Sequence, residues 1–182
     1  MFIQTEPTPN PATLKFLPGR AVMESGTANF TEASAAKTSP LAESLFALEG
    51  VTGVYLGADF ITVSKAAELD WLKLKPVVLA AIMDHFTSGR PVMSGAAATA
   101  ETGGDEDDEL VSQIKELLET RVRPAVAQDG GDIIFHSFED GVVYLTMQGS
   151  CSGCPSSTAT LKAGIENMLR HYIPEVQEVR PV

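Results

Sequence analysis

Cys151 and Cys154 are the only two cysteines among 182 residues, and they stand three apart in Gly149-Ser150-Cys151-Ser152-Gly153-Cys154-Pro155-Ser156-Ser157. Two cysteines at this spacing can aim both sulfurs at one point, which suits a metal ion, a cluster or a disulfide. Gly153 relieves the backbone between them. Pro155 suits the first position of a helix, where its missing N–H costs nothing. A helix start there brings free N–H groups and a positive dipole end toward the sulfurs. That favours thiolate over the thiol, which ordinarily titrates near about 8.5. The thiolate is the form that binds metal.

Tetrahedral zinc and iron–sulfur clusters usually take four protein ligands, and one chain offers two. No histidine adjoins the motif, and His136 and His171 can approach only through the fold. Three readings follow: a cofactor shared between two chains, a redox dithiol, or a structural pair. A thioredoxin-like redox site normally lies early in a βαβ unit, whereas this motif follows an α-β-β pattern and has no flanking aromatic. The zinc reading also needs a second chain.

The elements that position the pair are legible in hydropathy. Val142 to Met147 reads as an apolar strand, and Thr160 to Tyr172 has helical spacing that is expected to bury Leu161, Ile165, Met168, Leu169 and Tyr172. Upstream, Leu110 to Val122 reads as a helix that bends or restarts at Pro124. Ile133 to Phe138 reads as a strand that turns at Glu139-Asp140-Gly141 into the next. Asp129 and Asp132 read as turn residues beside Gly130-Gly131. Arg121 and Arg123 have acids nearby to pair with, or a partner to meet. After Pro174, Val176 to Val179 reads as a last strand. The order is α-β-β-α-β over residues 110–182.

Residues 1–93 suggest a second α+β domain. Phe2 to Thr5 and Thr13 to Leu17 read as strands joined by a stiff loop with Pro7, Pro9 and Pro11. Pro40 to Leu48 reads as a helix capped by Ser39. Val51 to Leu56 and Phe60 to Ser64 read as a hairpin. Trp71 to Thr87 reads as a helix capped by Asp70, with Leu72, Val78 or Leu79, Ile82 and Phe86 inward; Pro76 either kinks it or marks its start. This half has no cysteine, one histidine, His85, and no phosphate loop or catalytic triad, so it is expected to serve structure or interaction.

Residues 94–109 are rich in Ala and Gly, end in an acid run, and read as a flexible acidic linker. The net charge of −11 divides into −2 over residues 1–93, −6 over the linker and −3 over 110–182. No part is basic, which argues against nucleic-acid binding. No apolar run approaches the roughly 20 residues that span a bilayer. The first residues form neither a secretory signal nor an Arg-rich presequence. The expected location is therefore cytoplasmic, of bacterial type, with a processed organellar form left open.

The C-terminal half resembles the NifU-like (Nfu) iron–sulfur scaffold and carrier family. Arg123-Pro124, Asp129-Gly130-Gly131-Asp132, the cysteine segment, Thr160-Leu161-Lys162 and Gly164-Ile165-Glu166 carry the likeness. The N-terminal half resembles the Nfu N-terminal domain through Phe2 to Pro11 and Lys15-Phe16-Leu17-Pro18-Gly19. The resemblance implies two small α/β-sandwich-type domains and no enzymatic activity. It implies Cys151 and Cys154 as ligands of one [4Fe–4S] cluster per homodimer. It further implies upstream cluster-assembly proteins as donors and apo iron–sulfur proteins as clients, among them lipoyl synthase, aconitase-like enzymes and respiratory subunits. A dithiol-disulfide oxidoreductase is the alternative, and a zinc-linked interaction protein the third reading.

Overall fold

The computed structural model describes residues 2–94, 109–150 and 155–182. The chain divides into two compact units, Met1–Thr99 and Ala100–Val182, each α+β. The expected linker falls almost wholly on residues 95–108 and so lies outside the described residues.

In the first unit, β1 (Gln4–Pro7), β2 (Thr13–Leu17), β3 (Ala28–Phe30), β4 (Val51–Leu56) and β5 (Ile61–Lys65) form one antiparallel sheet in the order β1-β2-β5-β4-β3. Helices α1 (Pro40–Phe46) and α2 (Trp71–Ser88) pack on it. Their Leu41, Leu45, Val78 and Ile82 share a core with Phe16, Leu56, Ile61 and Val63 of the sheet. Both predicted caps form. The Ser39 hydroxyl accepts from the Ala42 N–H, and the Asp70 carboxylate accepts from the Leu72 N–H.

The first strand starts two residues later than its hydropathy suggested, because β1 pairs from Gln4 to Pro7 against β2. Pro76 lies inside α2 rather than at its start. Leu72, expected inward, is 83% exposed. The buried stripe is Leu74, Val78, Ile82 and His85, at helical spacing. Leu72 stands two residues before Leu74, about 200° around the axis, so it must face outward.

His85 is fully buried, and neither ring nitrogen has a hydrogen-bond partner among the described residues. Burial, and next the positive charge of Arg90, hold its pKa below the ordinary value of 6.5, against the negative charge of Asp84. The folded state therefore resists a proton that the unfolded state accepts. This stability is complete above about pH 6.5 and is lost as pH falls further. Thermal unfolding of the first unit should thus shift downward between pH 7.5 and pH 5.5, by at most about 1.4 kcal/mol per pH unit from this group. His85→Phe should flatten that pH dependence. An unchanged slope in the variant would remove His85 as its source.

In the second unit, α3 (Glu109–Leu117) continues through a π-helical turn (Leu118–Val122) into α4 (Arg123–Gln128). The expected bend at Pro124 is resolved as this wider turn. Pro124 falls in the first turn of α4, where its missing N–H is tolerated. Strands β6 (Gly131–Glu139) and β7 (Val142–Gly149) form an antiparallel hairpin. Helix α5 (Pro155–Tyr172) then crosses over to β8 (Glu178–Pro181), which pairs with β7 in parallel. β8 begins two residues later than expected, because Val176 is buried in the core and only Glu178 onward pairs with β7.

The core gathers Ile114, Leu118, Val122 and Val126 from the helical run, Ile133, Val143 and Leu145 from the hairpin, and Ile165 and Leu169 from α5. The apolar spacing read in the sequence thus holds for Ile165 and Leu169, with Leu161 and Met168 half-buried, whereas Tyr172, expected inward, is exposed at the end of α5. Glu166 adds a polar tie, accepting from the Val179 N–H at 3.3 Å.

Candidate functional site

Cys151 and Cys154, the two candidate ligands, lie outside the described residues. β7 ends at Gly149, Ser150 follows, and α5 starts at Pro155. Cys154 thus immediately precedes an 18-residue helix. The unpaired N–H groups and dipole of such a helix start favour negative charge, the form in which sulfur ligates metal.

The strand side of the connection is anchored. Gly149 has φ of 65° and Gly130, in the facing turn, has φ of 77°, a conformation that any side chain would strain. Gly131 pairs with Gly149 in the hairpin. Ser150 is buried, with 1% exposure. Its N–H donates to the Gly130 carbonyl at 3.2 Å, and its hydroxyl donates to the Asp129 carbonyl. Asp129 and Gly130 are themselves held, since their N–H groups donate to Val126 and Ala127 of α4 at 3.0 Å each.

Asp132, read from the sequence as a turn residue, is instead a buried strand residue. Its two oxygens accept from Nε and a terminal nitrogen of Arg123, both at 2.9 Å. One oxygen also accepts from the Ile133 N–H at 2.8 Å. The paired arrangement is the strong bidentate form of an Arg–carboxylate contact. Glu119 stands 3.9 Å from the same guanidinium, one helical turn earlier. Arg121 does not join this cluster; its guanidinium lies over the Tyr172 ring, 5.4 Å from the centroid.

The histidines do not gather toward the connection. His171 sits at the far end of α5, about 24 Å along the axis from Pro155. His136 is exposed in mid-strand, at the irregularity of β6 that leaves it out of register with β7. Among the described residues, no group of three or more His, Cys, Asp or Glu side chains is placed to hold a metal ion. Cys151 and Cys154 are the thiols that the sequence places in this connection, and thiolates as a class suit soft metals and clusters. The sequence did not single out Ser150. Its only signal was a small polar residue between an apolar strand and a cysteine.

The chain is similar to known proteins along most of its length. Residues 3–89 match the model described as scaffold protein Nfu/NifU N terminal, and residues 114–180 match the NifU-like domain. The chain is 56% identical over 183 residues to the mitochondrial NFU1 iron-sulfur cluster scaffold homolog of Homo sapiens, spanning 100% of this chain and 72% of that protein. It is 56% identical over 184 residues to the protein of the same name from Drosophila persimilis, over 100% of this chain and 65% of that one. NifU-like protein 4, mitochondrial, of Arabidopsis thaliana is 55% identical over 184 residues, covering 98% and 65%. The chain thus spans 65 to 72% of the length of these relatives. A solution structure of a NifU-like protein from Saccharomyces cerevisiae aligns with a TM-score of 0.47 at 27% identity, over 52% of this chain and 85% of that one.

These relatives correct one expectation. They are named as mitochondrial proteins, which overturns the reading of a bacterial-type cytoplasmic protein. The physical reason for the error is that an address is a separate segment, which the composition of a folded domain does not report. No described helix is long and apolar enough to cross a membrane.

Proposed function

The chain belongs to the Nfu/NifU-like family of iron–sulfur cluster scaffold proteins, and on that premise we propose that it carries a [4Fe–4S] cluster as cargo, ligated by Cys151 and Cys154 of two copies of the chain. The observation that carries this reading is the ligand count. Two thiols per chain adjoin a helix start, and four are needed. The cluster is received from assembly proteins and passed to apo-proteins. The protein acts as a carrier rather than a catalyst.

The chemistry of release follows from the same count. A carrier must hold its cargo less tightly than the client does. Two thiolates from each side of a separable interface can be displaced one at a time by incoming client thiolates, and loss of the cluster then weakens the dimer. We assign residues 1–93 to partner recognition, 94–109 to a linker and 110–182 to cluster binding. Removing residues 1–93 is expected to leave cluster binding intact while slowing delivery to an apo-client. A folded truncation that no longer binds the cluster would count against this division.

The test of the whole reading is the content of iron, acid-labile sulfide and zinc per chain in protein purified without oxygen. About two irons and two sulfides per chain mean one [4Fe–4S] per dimer. Zinc without sulfide would make the site structural. No metal after reconstitution with iron and sulfide would overturn the carrier reading and leave a dithiol.

A further inference from the structure

We infer that Ser150 is a positioning residue for the cysteine connection, tied to the Asp129–Gly130 turn and braced through the Arg123–Asp132 ion pair. This rests on the proposed ligation by Cys151 and Cys154. Serine is usually an exposed residue, yet Ser150 is buried and donates both its N–H and its hydroxyl to two successive carbonyls of one turn. That turn leaves α4, and α4 also supplies Arg123. Arg123 reaches past the turn to Asp132, two residues beyond Gly130, with two bonds of 2.9 Å.

The chain therefore closes a ring. It runs from α4 through the turn to the start of β6 and back to α4 through the ion pair. Ser150 hooks onto this ring just before Cys151. A ligand segment whose first neighbour is already immobile loses less freedom when it takes up a cluster.

The experiment follows release of the cluster from loaded, full-length dimer to an iron chelator. It compares wild type, Ser150→Ala, Arg123→Lys and the double variant, with visible circular dichroism of the loaded cluster as a reporter of ligand geometry. Loss of one buried hydrogen bond to the anchoring turn should speed release by up to about tenfold. Arg123→Lys keeps the charge but loses the fork. It should act in the same direction, and it carries the test alone if Ser150→Ala does not fold. Because both changes act through one turn, the double variant should release little faster than the worse single one. The dichroism should change in both single variants while their far-ultraviolet spectra do not.

Wild-type release and dichroism in Ser150→Ala, or multiplicative effects in the double variant, would overturn the inference while leaving the carrier function intact. Should wild type take up no cluster, the carrier reading fails first. The brace is then judged on the apo-protein by amide exchange at Ser150. Exchange about tenfold faster in Arg123→Lys supports the brace, and an unchanged rate overturns it.

Discussion

Replacing Cys151 with alanine should abolish cluster retention, with iron and acid-labile sulfide falling from about two of each per chain to near zero after reconstitution and desalting. The expectation follows from counting. The chain has no third cysteine, and among the described residues no other cluster of metal-binding side chains. A homodimer of the variant would offer two thiolates where four are needed, and His171 stands at the opposite end of α5 from Pro155. Cys154→Ala should behave identically. The fold should be preserved, because the core of the second unit is built from residues elsewhere in the chain. Thermal unfolding of apo wild type and apo variant should therefore agree closely. Full iron and sulfide in either variant would exclude that cysteine as a ligand.

Replacing Arg123 with methionine should be the most damaging change outside the cysteines, and it should act on stability. Asp132 is 4% exposed, and the guanidinium beside it is the countercharge that its carboxylate meets. Removing one partner of a buried pair strands the other charge, which costs roughly 3–5 kcal/mol. The Arg123 side chain is 36% exposed, so water reaches the pair and the loss should be nearer about 2–3 kcal/mol. For a unit of this size, that lowers the midpoint of thermal unfolding by more than about 8 °C. Adding Asp132→Asn to Arg123→Met should recover much of the loss. Asparagine keeps an acceptor for the Ile133 N–H and carries no charge. A single variant as stable as wild type would show that the pair contributes nothing measurable.

The candidate site was legible in part. The two cysteines, the strand before them and the helix after them follow from residue type and apolar spacing, which are local properties. The brace was not legible. Asp132 next to Gly130 and Gly131 has the composition of a turn, and nothing local separates a turn aspartate from a buried strand aspartate. The distinction lies in Arg123, nine residues away, which arrives beside Asp132 because the helical run ends at Gln128 and the chain reverses into β6. Leu72 shows the same limit in the other unit. Its apolar character suggested burial, but the phase of α2 was set by Leu74, Val78 and Ile82 against the sheet.

By itself, the sequence determined the α+β class, the order of the elements in the second unit, the two capped helices and the pair of thiols available to a cargo. Each depends on neighbours along the chain, through periodicity, capping and covalent spacing. Tertiary structure alone decided that Ser150 is buried and doubly bound, that Asp132 is an ion-pair partner, that His85 is sealed in a core and that the other histidines stand away from the helix start. Each of those depends on which distant residues meet, and hence on how buried polar groups find partners once the apolar faces have packed.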